Sequence, residues 1–163
     1  MSSDAIIQRF CRTFDVFCHK EKDTKEPNKR YLILRVLGSG ATGLVLLAKR
    51  LSDGKSFAVK VVELEGMCEA DRLRAEAEVH CLVSCDFFAI LTCHEDFIKK
   101  DPKHPDHPAM IALVLDYANA GDLRQEIKSR AKAKRPFKEH EAGLVFIQVL
   151  MAIHHVHGKH MNF

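Results

Sequence analysis

Apolar residues recur at helical spacing near the start of the chain. Ile6, Ile7, Phe10, Phe14 and Phe17 follow a Ser-Ser-Asp start and predict an amphipathic helix over residues 4–17. Such a segment reads first as docking on its own domain, with a membrane or partner surface as the alternative. Residues 19–30 are almost wholly polar and read as a linker. The period then shortens. Tyr31–Leu37, Leu44–Arg50 and Ser56–Val62 are strand-like runs. A glycine-rich stretch joins the first two, and Ser52-Asp53-Gly54-Lys55 turns between the second and third, predicting an antiparallel meander.

Beyond the meander, residues 67–84 predict a helix and 87–98 a strand with a bend. Lys99–Ala109 holds three prolines and reads as irregular. Met110–Leu115 is a short apolar strand, and 116–121 a connector. Asp122–Ala133 predicts a polar helix with Asp122 as N-cap and Gln125 in the reciprocal position. Residues 139–157 predict a long helix that stops near Gly158. Within it, nine of the ten residues 144–153 are apolar, so every face is hydrophobic. A helix of that kind is buried all round or spans a bilayer, and this run is too short to span. The expectation is that this stretch leaves the isolated chain prone to aggregate or reliant on a partner that covers 144–153.

Composition narrows the class. The chain has 163 residues, 47% hydrophobic and 29% charged, which permits a packed core and argues against global disorder. The net charge of +3 gives no support for a nucleic-acid binder without a clustered basic face. No secretory h-region and no transmembrane run is evident, and Ser2 replaces the glycine that myristoylation needs. The six cysteines form no C-x-x-C pair, which fits reduced thiols and a cytoplasmic setting.

Candidate chemistry starts at Gly38-Ser39-Gly40-Ala41-Thr42-Gly43. The G-x-G-x-x-G spacing lets backbone N–H groups approach phosphate oxygens, because glycine has no Cβ in the way. A dinucleotide fingerprint would have to open a helix. Here a strand and an Asp-Gly turn follow, so Glu63, 20 residues past Gly43, is not placed as a ribose-binding acid. A P-loop is excluded because no Gly-Lys-Ser/Thr follows. A plain structural hairpin stays open on these residues alone.

Two further matches decide the reading. Gly38 to Val45 fits G-x-G-x-x-G-x-V, and Phe57-Ala58-Val59-Lys60 resembles V-A-I-K. With these the chain resembles the eukaryotic protein kinases from about Tyr31 to Met161, and among them the NIMA-related serine/threonine kinases most. The resemblance implies an α+β fold. Its parts are an N-lobe of five antiparallel strands plus one helix, a hinge, and the first two helices of the C-lobe. The divisions would be 1–30 for the helix and linker, 31–116 for the ATP-binding N-lobe, and 117–163 for the hinge and start of the C-lobe. It also implies that Lys60 reaches the ATP phosphates and pairs with a helix glutamate, Glu78 in preference to Glu76. The implied nucleotide contacts are Leu37, Gly38, Ser39, Gly40, Ala41, Thr42, Gly43, Val45, Ala58, Lys60, the gatekeeper Leu115, the hinge backbone of Asp116 and Ala118, and Asp122 near the ribose.

The implied partners are ATP and, in a complete kinase, Mg²⁺ and a protein substrate. Neither His-Arg-Asp nor Asp-Phe-Gly occurs in the sequence, so the catalytic-loop and metal-binding residues have no counterpart and no metal site is expected. The expectation is an ATP-binding portion that is inactive alone, with a nucleotide- or partner-binding module as the alternative. His154, His155, His157 and His160 read as a solvated helix end, His104 and His107 as loop surface, and Cys81 with Cys85 as core thiols. Lys128–Arg135 is the one basic run and reads as a solvated face.

Overall fold

A computed structural model describes residues 3–19, 25, 28–40, 43–102, 104 and 107–159. Its centre is a sheet of six strands: β1 (Phe17–Cys18), β2 (Tyr31–Gly40), β3 (Gly43–Arg50), β4 (Ser56–Glu63), β5 (Cys93–Lys100) and β6 (Pro108–Asp116). The spatial order is β1-β2-β3-β4-β6-β5. Five of these strands form the antiparallel sheet that the sequence implies, and β1 adds a short parallel pairing on β2. Four helices accompany it: α1 (Ser3–Thr13), α2 (Glu69–Ser84), α3 (Leu123–Lys132) and α4 (Glu139–Gly158).

Both faces of the sheet are covered, which is why Phe57–Val62 is apolar at nearly every position. On one face Tyr31, Ile33, Leu46, Ala48, Phe57, Val59, Val61, Ala112 and Val114 meet Ile7, Phe10, Phe14 and Phe17 from the N-terminal segment. On the other, Ala58, Val62, Leu64, Ile111, Leu113 and Leu115 meet Ala75, Val79 and Leu82 of α2. The sheet curls far enough for Tyr31 of β2 to hydrogen-bond Glu95 of β5, and for Phe17 to set its ring 5.4 Å from that of Phe97.

The N-terminal segment departs from its predicted form. The helix ends at Thr13, and the backbone N–H of Phe17 bonds the carbonyl of Phe14 in a turn. The apolar period continues past the helix because Phe14 and Phe17 face the same core from a turn and a strand. The segment docks on its own domain: Phe10 and Phe17 are almost fully buried. Residues 20–24, 26 and 27 of the expected linker lie outside the described residues.

Other boundaries shift for local reasons. The apolar run Phe87–Ile90 forms a turn, closed by the Ile90 N–H on the Phe87 carbonyl, and β5 begins only at Cys93. The strand then runs on to Lys100, and β6 starts at Pro108, so regular strand reaches into both ends of the proline-rich segment. A proline is tolerated there because it opens the strand. Asp122 caps α3, its Oδ1 accepting from the Gln125 N–H at 2.7 Å. The Gln125 side chain folds over Gly121, where a Cβ would meet Gln125 Oε1 at 2.6 Å.

The α4 helix carries no buried residue, and Leu144, Phe146, Ile147, Val149, Leu150, Met151 and Ile153 are all exposed. It meets the rest of the structure where His155 stacks on Phe87, centroids 4.7 Å apart, and where Glu141 pairs with Arg130 of α3 at 3.1 Å. No helix of the described residues is long and apolar enough to cross a membrane.

Candidate functional site

The site is organised by strand register. Val45 of β3 pairs with Lys60 of β4, and Lys60 pairs in turn with Leu113 of β6. One step along, Leu47 pairs with Ala58, and Ala58 with Leu115. Directly opposed residues share a face. Lys60 therefore emerges from an apolar platform of Val45, Ala58, Leu113 and Leu115, and Leu37 packs against the same cluster.

A lysine among apolar neighbours needs a partner. Helix α2 provides it: the Lys60 ammonium and the Glu78 carboxylate form an ion pair and hydrogen bond. The Lys60 side chain is only 14% exposed and Glu78 is 43% exposed, so the pair sits at the rim of the platform and opens to solvent on the carboxylate side. Glu76 does not take this place; its Oε1 is buried in a groove with Arg72. Two turns of α2 before Glu78, Glu69 and Asp71 put negative charge at the positive helix N-terminus.

The glycine stretch forms the mouth of the β2–β3 hairpin. Gly40 opposes Gly43, Ser39 opposes Leu44 and Gly38 opposes Val45. Ala41 and Thr42 at its tip lie outside the described residues. The glycines have different reasons to be glycine. Gly43 has φ +136°, and a Cβ there would lie 1.9 Å from the Val61 carbonyl oxygen. The close passage of β4 behind the hairpin therefore excludes a side chain. At Gly38 a Cβ would meet nothing within 4 Å. That open side lets a ligand approach the hairpin backbone.

At the far end of the platform the chain leaves the sheet at Asp116. Leu115 is buried beside Ala58, while Ala118 and Asp122 lie on the exposed connector. The Asp116 carboxylate is occupied. One oxygen accepts the Thr92 N–H at 3.2 Å and the other lies 2.7 Å from His94 Nε2. These contacts, the His94 hydrogen bond first, hold the Asp116 carboxyl below the usual carboxylate range. With the side chain turned to β5 and its N–H bonded to the Thr92 carbonyl, what Asp116 has left to present is its backbone carbonyl. His94 was not singled out by the sequence pattern, since a contact across 22 residues leaves no local signal.

The donor set suits a nucleotide better than a metal. A cation on an apolar platform beside an open glycine hairpin fits a flat base with a polyphosphate tail. Among the described residues no cluster of three or more His, Cys, Asp or Glu could hold a metal ion.

Comparison with known proteins gives one consistent result. The family described as Protein kinase domain matches residues 31–163. Serine/threonine-protein kinase Nek8 of Danio rerio is 30% identical over 131 residues, covering 80% of this chain and 17% of the relative. Serine/threonine-protein kinase Nek4 of Mus musculus is 28% identical over 135 residues, 83% of this chain and 16% of that one. Two Trypanosoma brucei brucei proteins with serine/threonine-protein kinase names are 29% and 28% identical over 133 residues, covering 81% of this chain and 29% of each. The chain thus spans less than a third of the length of the curated relatives it matches.

Proposed function

The chain belongs to the protein kinase family, and we propose that it supplies the ATP-holding part of a serine/threonine kinase. The observation that carries this reading is the Lys60–Glu78 pair on the Val45–Ala58–Leu115 platform, beside the glycine hairpin. In this reading residues 31–116 are the nucleotide-binding lobe and 117–163 the hinge and the start of a second lobe. Val45 and Ala58 cover one face of the adenine, with Leu37 at the rim and Leu115 behind. The Asp116 carbonyl accepts from the adenine edge and the Ala118 N–H donates to it. Asp122 lies near the ribose, in addition to capping α3.

Lys60 contacts the α- and β-phosphates, and Glu78 aims its ammonium. The backbone of residues 38–43 covers the phosphates, leaving room because glycine adds no Cβ. In the whole protein ATP would give its γ-phosphoryl group to a Ser or Thr hydroxyl, leaving ADP. The residues that orient that hydroxyl and hold Mg²⁺ have no counterpart among these 163, so neither step is assigned to them.

A radiolabelled ATP assay on the 163-residue chain, run with a thermal-shift titration, tests the proposal. The expected result is stabilisation by ATP with no labelled protein. No stabilisation at millimolar ATP contradicts the ATP-holding role. Labelling that disappears in Lys60→Met contradicts the view that transfer needs residues outside these 163.

A further inference from the structure

We infer that His94 is a positioning residue: it clamps Asp116 so that the hinge carbonyl is held ready for the nucleotide base. The inference deepens the proposed ATP-holding role and rests on it.

Three observations converge. The first is a bulge. The β5–β6 register passes from Cys93↔Leu115 to Glu95↔Val114, so His94 is the extra residue that the ladder skips. Bulges bend a strand locally and re-aim a side chain, and they are frequent beside active sites. Here the displaced side chain reaches the end of β6, where His94 Nε2 lies 2.7 Å from Asp116 Oδ1.

The second is completeness. Asp116 is held three times by one short stretch: its N–H donates to the Thr92 carbonyl at 3.1 Å, its Oδ2 accepts from the Thr92 N–H, and its Oδ1 meets His94. Fixing N–H and both carboxylate oxygens locks the Cα and Cβ of Asp116, and with them the point from which its carbonyl and the connector leave the sheet.

The third is support behind the histidine. Its ring stands edge-on to Phe57, centroids 5.2 Å apart at 81°. Phe57 is 5% exposed and directly opposes Asp116 across β4–β6. The imidazole is thus braced against the strand that also carries Ala58 and Lys60. Yet the His94 and Asp116 side chains are 35% and 49% exposed. The clamp lies on the rim, not in the core, so its loss is expected to leave the fold standing.

The test uses the full 163-residue chain with His94→Ala and His94→Gln, each measured for ATP affinity by calorimetry and for melting temperature. His94→Ala should weaken ATP binding about three- to tenfold, as expected for one ordinary hydrogen bond acting through the hinge, and leave Tm within about 2 °C. His94→Gln, whose amide can donate to Asp116, should restore most of the affinity. Unchanged ATP affinity in His94→Ala overturns the inference. So does a loss that follows a fall in Tm and is not rescued by glutamine. A wild-type chain that binds no ATP overturns the ATP-holding role itself, a result distinct from either.

Discussion

Lys60 on β4 and Glu78 on α2, eighteen residues apart in sequence, form an ion pair at the rim of an apolar platform. The pair ties α2 to the sheet and sets the direction of the ammonium. Replacing Glu78 by Gln keeps the volume and removes the charge. ATP affinity should then fall about three- to tenfold, because the ammonium loses a charged partner while retaining a hydrogen-bond acceptor. Calorimetric titration of the variant against wild type measures this. An unchanged affinity would mean that Glu78 does not aim Lys60.

The two hairpin glycines should behave differently on substitution by alanine. At Gly43 the new Cβ would collide with the Val61 carbonyl in a left-handed backbone conformation. The expected cost is about 1–3 kcal/mol or more, read as a lowered midpoint in chemical denaturation. At Gly38 the Cβ enters open space, so stability should change by less than about 0.5 kcal/mol. Equal effects at the two positions would contradict the described hairpin.

The N-terminal segment should be part of the folded unit although the family match begins at residue 31. Phe10 and Phe17 are 1% and 0% exposed, with ring centroids 4.8 Å apart. Truncation of either to alanine should destabilise by about 3–5 kcal/mol, the usual cost for a buried phenylalanine. Denaturant unfolding monitored by circular dichroism reports it. A change below about 1 kcal/mol would show that the segment is not docked in solution.

Tyr31 offers a pH test. Burial, and then the hydrogen bond and charge of Glu95, push its hydroxyl up to about 12 from the ordinary 10.0. The folded state thus favours the neutral phenol. The stabilisation is fully present below pH 10.0 and is lost as pH rises towards about 12. Melting temperature should fall over that interval in the wild type and fall less in Tyr31→Phe. Parallel curves for the two would contradict the assignment.

Much of this was legible in the sequence. The glycine spacing, the lysine on the third strand and the Asp122 cap each leave a local pattern, and the fold follows from their order. Glu78 could be preferred over Glu76 because helix phase is also local. What was not legible depends on distant contacts. β1 is two residues long and exists only because Phe17 and Cys18 align with Tyr31 and Leu32. The apolar run Phe87–Ile90 has the composition of a strand, but it turns and sets Phe87 against His155, 68 residues on. The link from His94 to Asp116 is of the same kind: a bulge and a cross-strand contact leave no repeat to read.

The central claim is that this chain holds ATP through the Lys60 platform. Calorimetric titration of ATP into the 163-residue chain and into Lys60→Met tests it most directly. The account predicts saturable one-to-one binding that weakens about tenfold or more in Lys60→Met, with the melting temperature of the free protein preserved. Absence of binding to the wild type, or equal affinity in the variant, would contradict it.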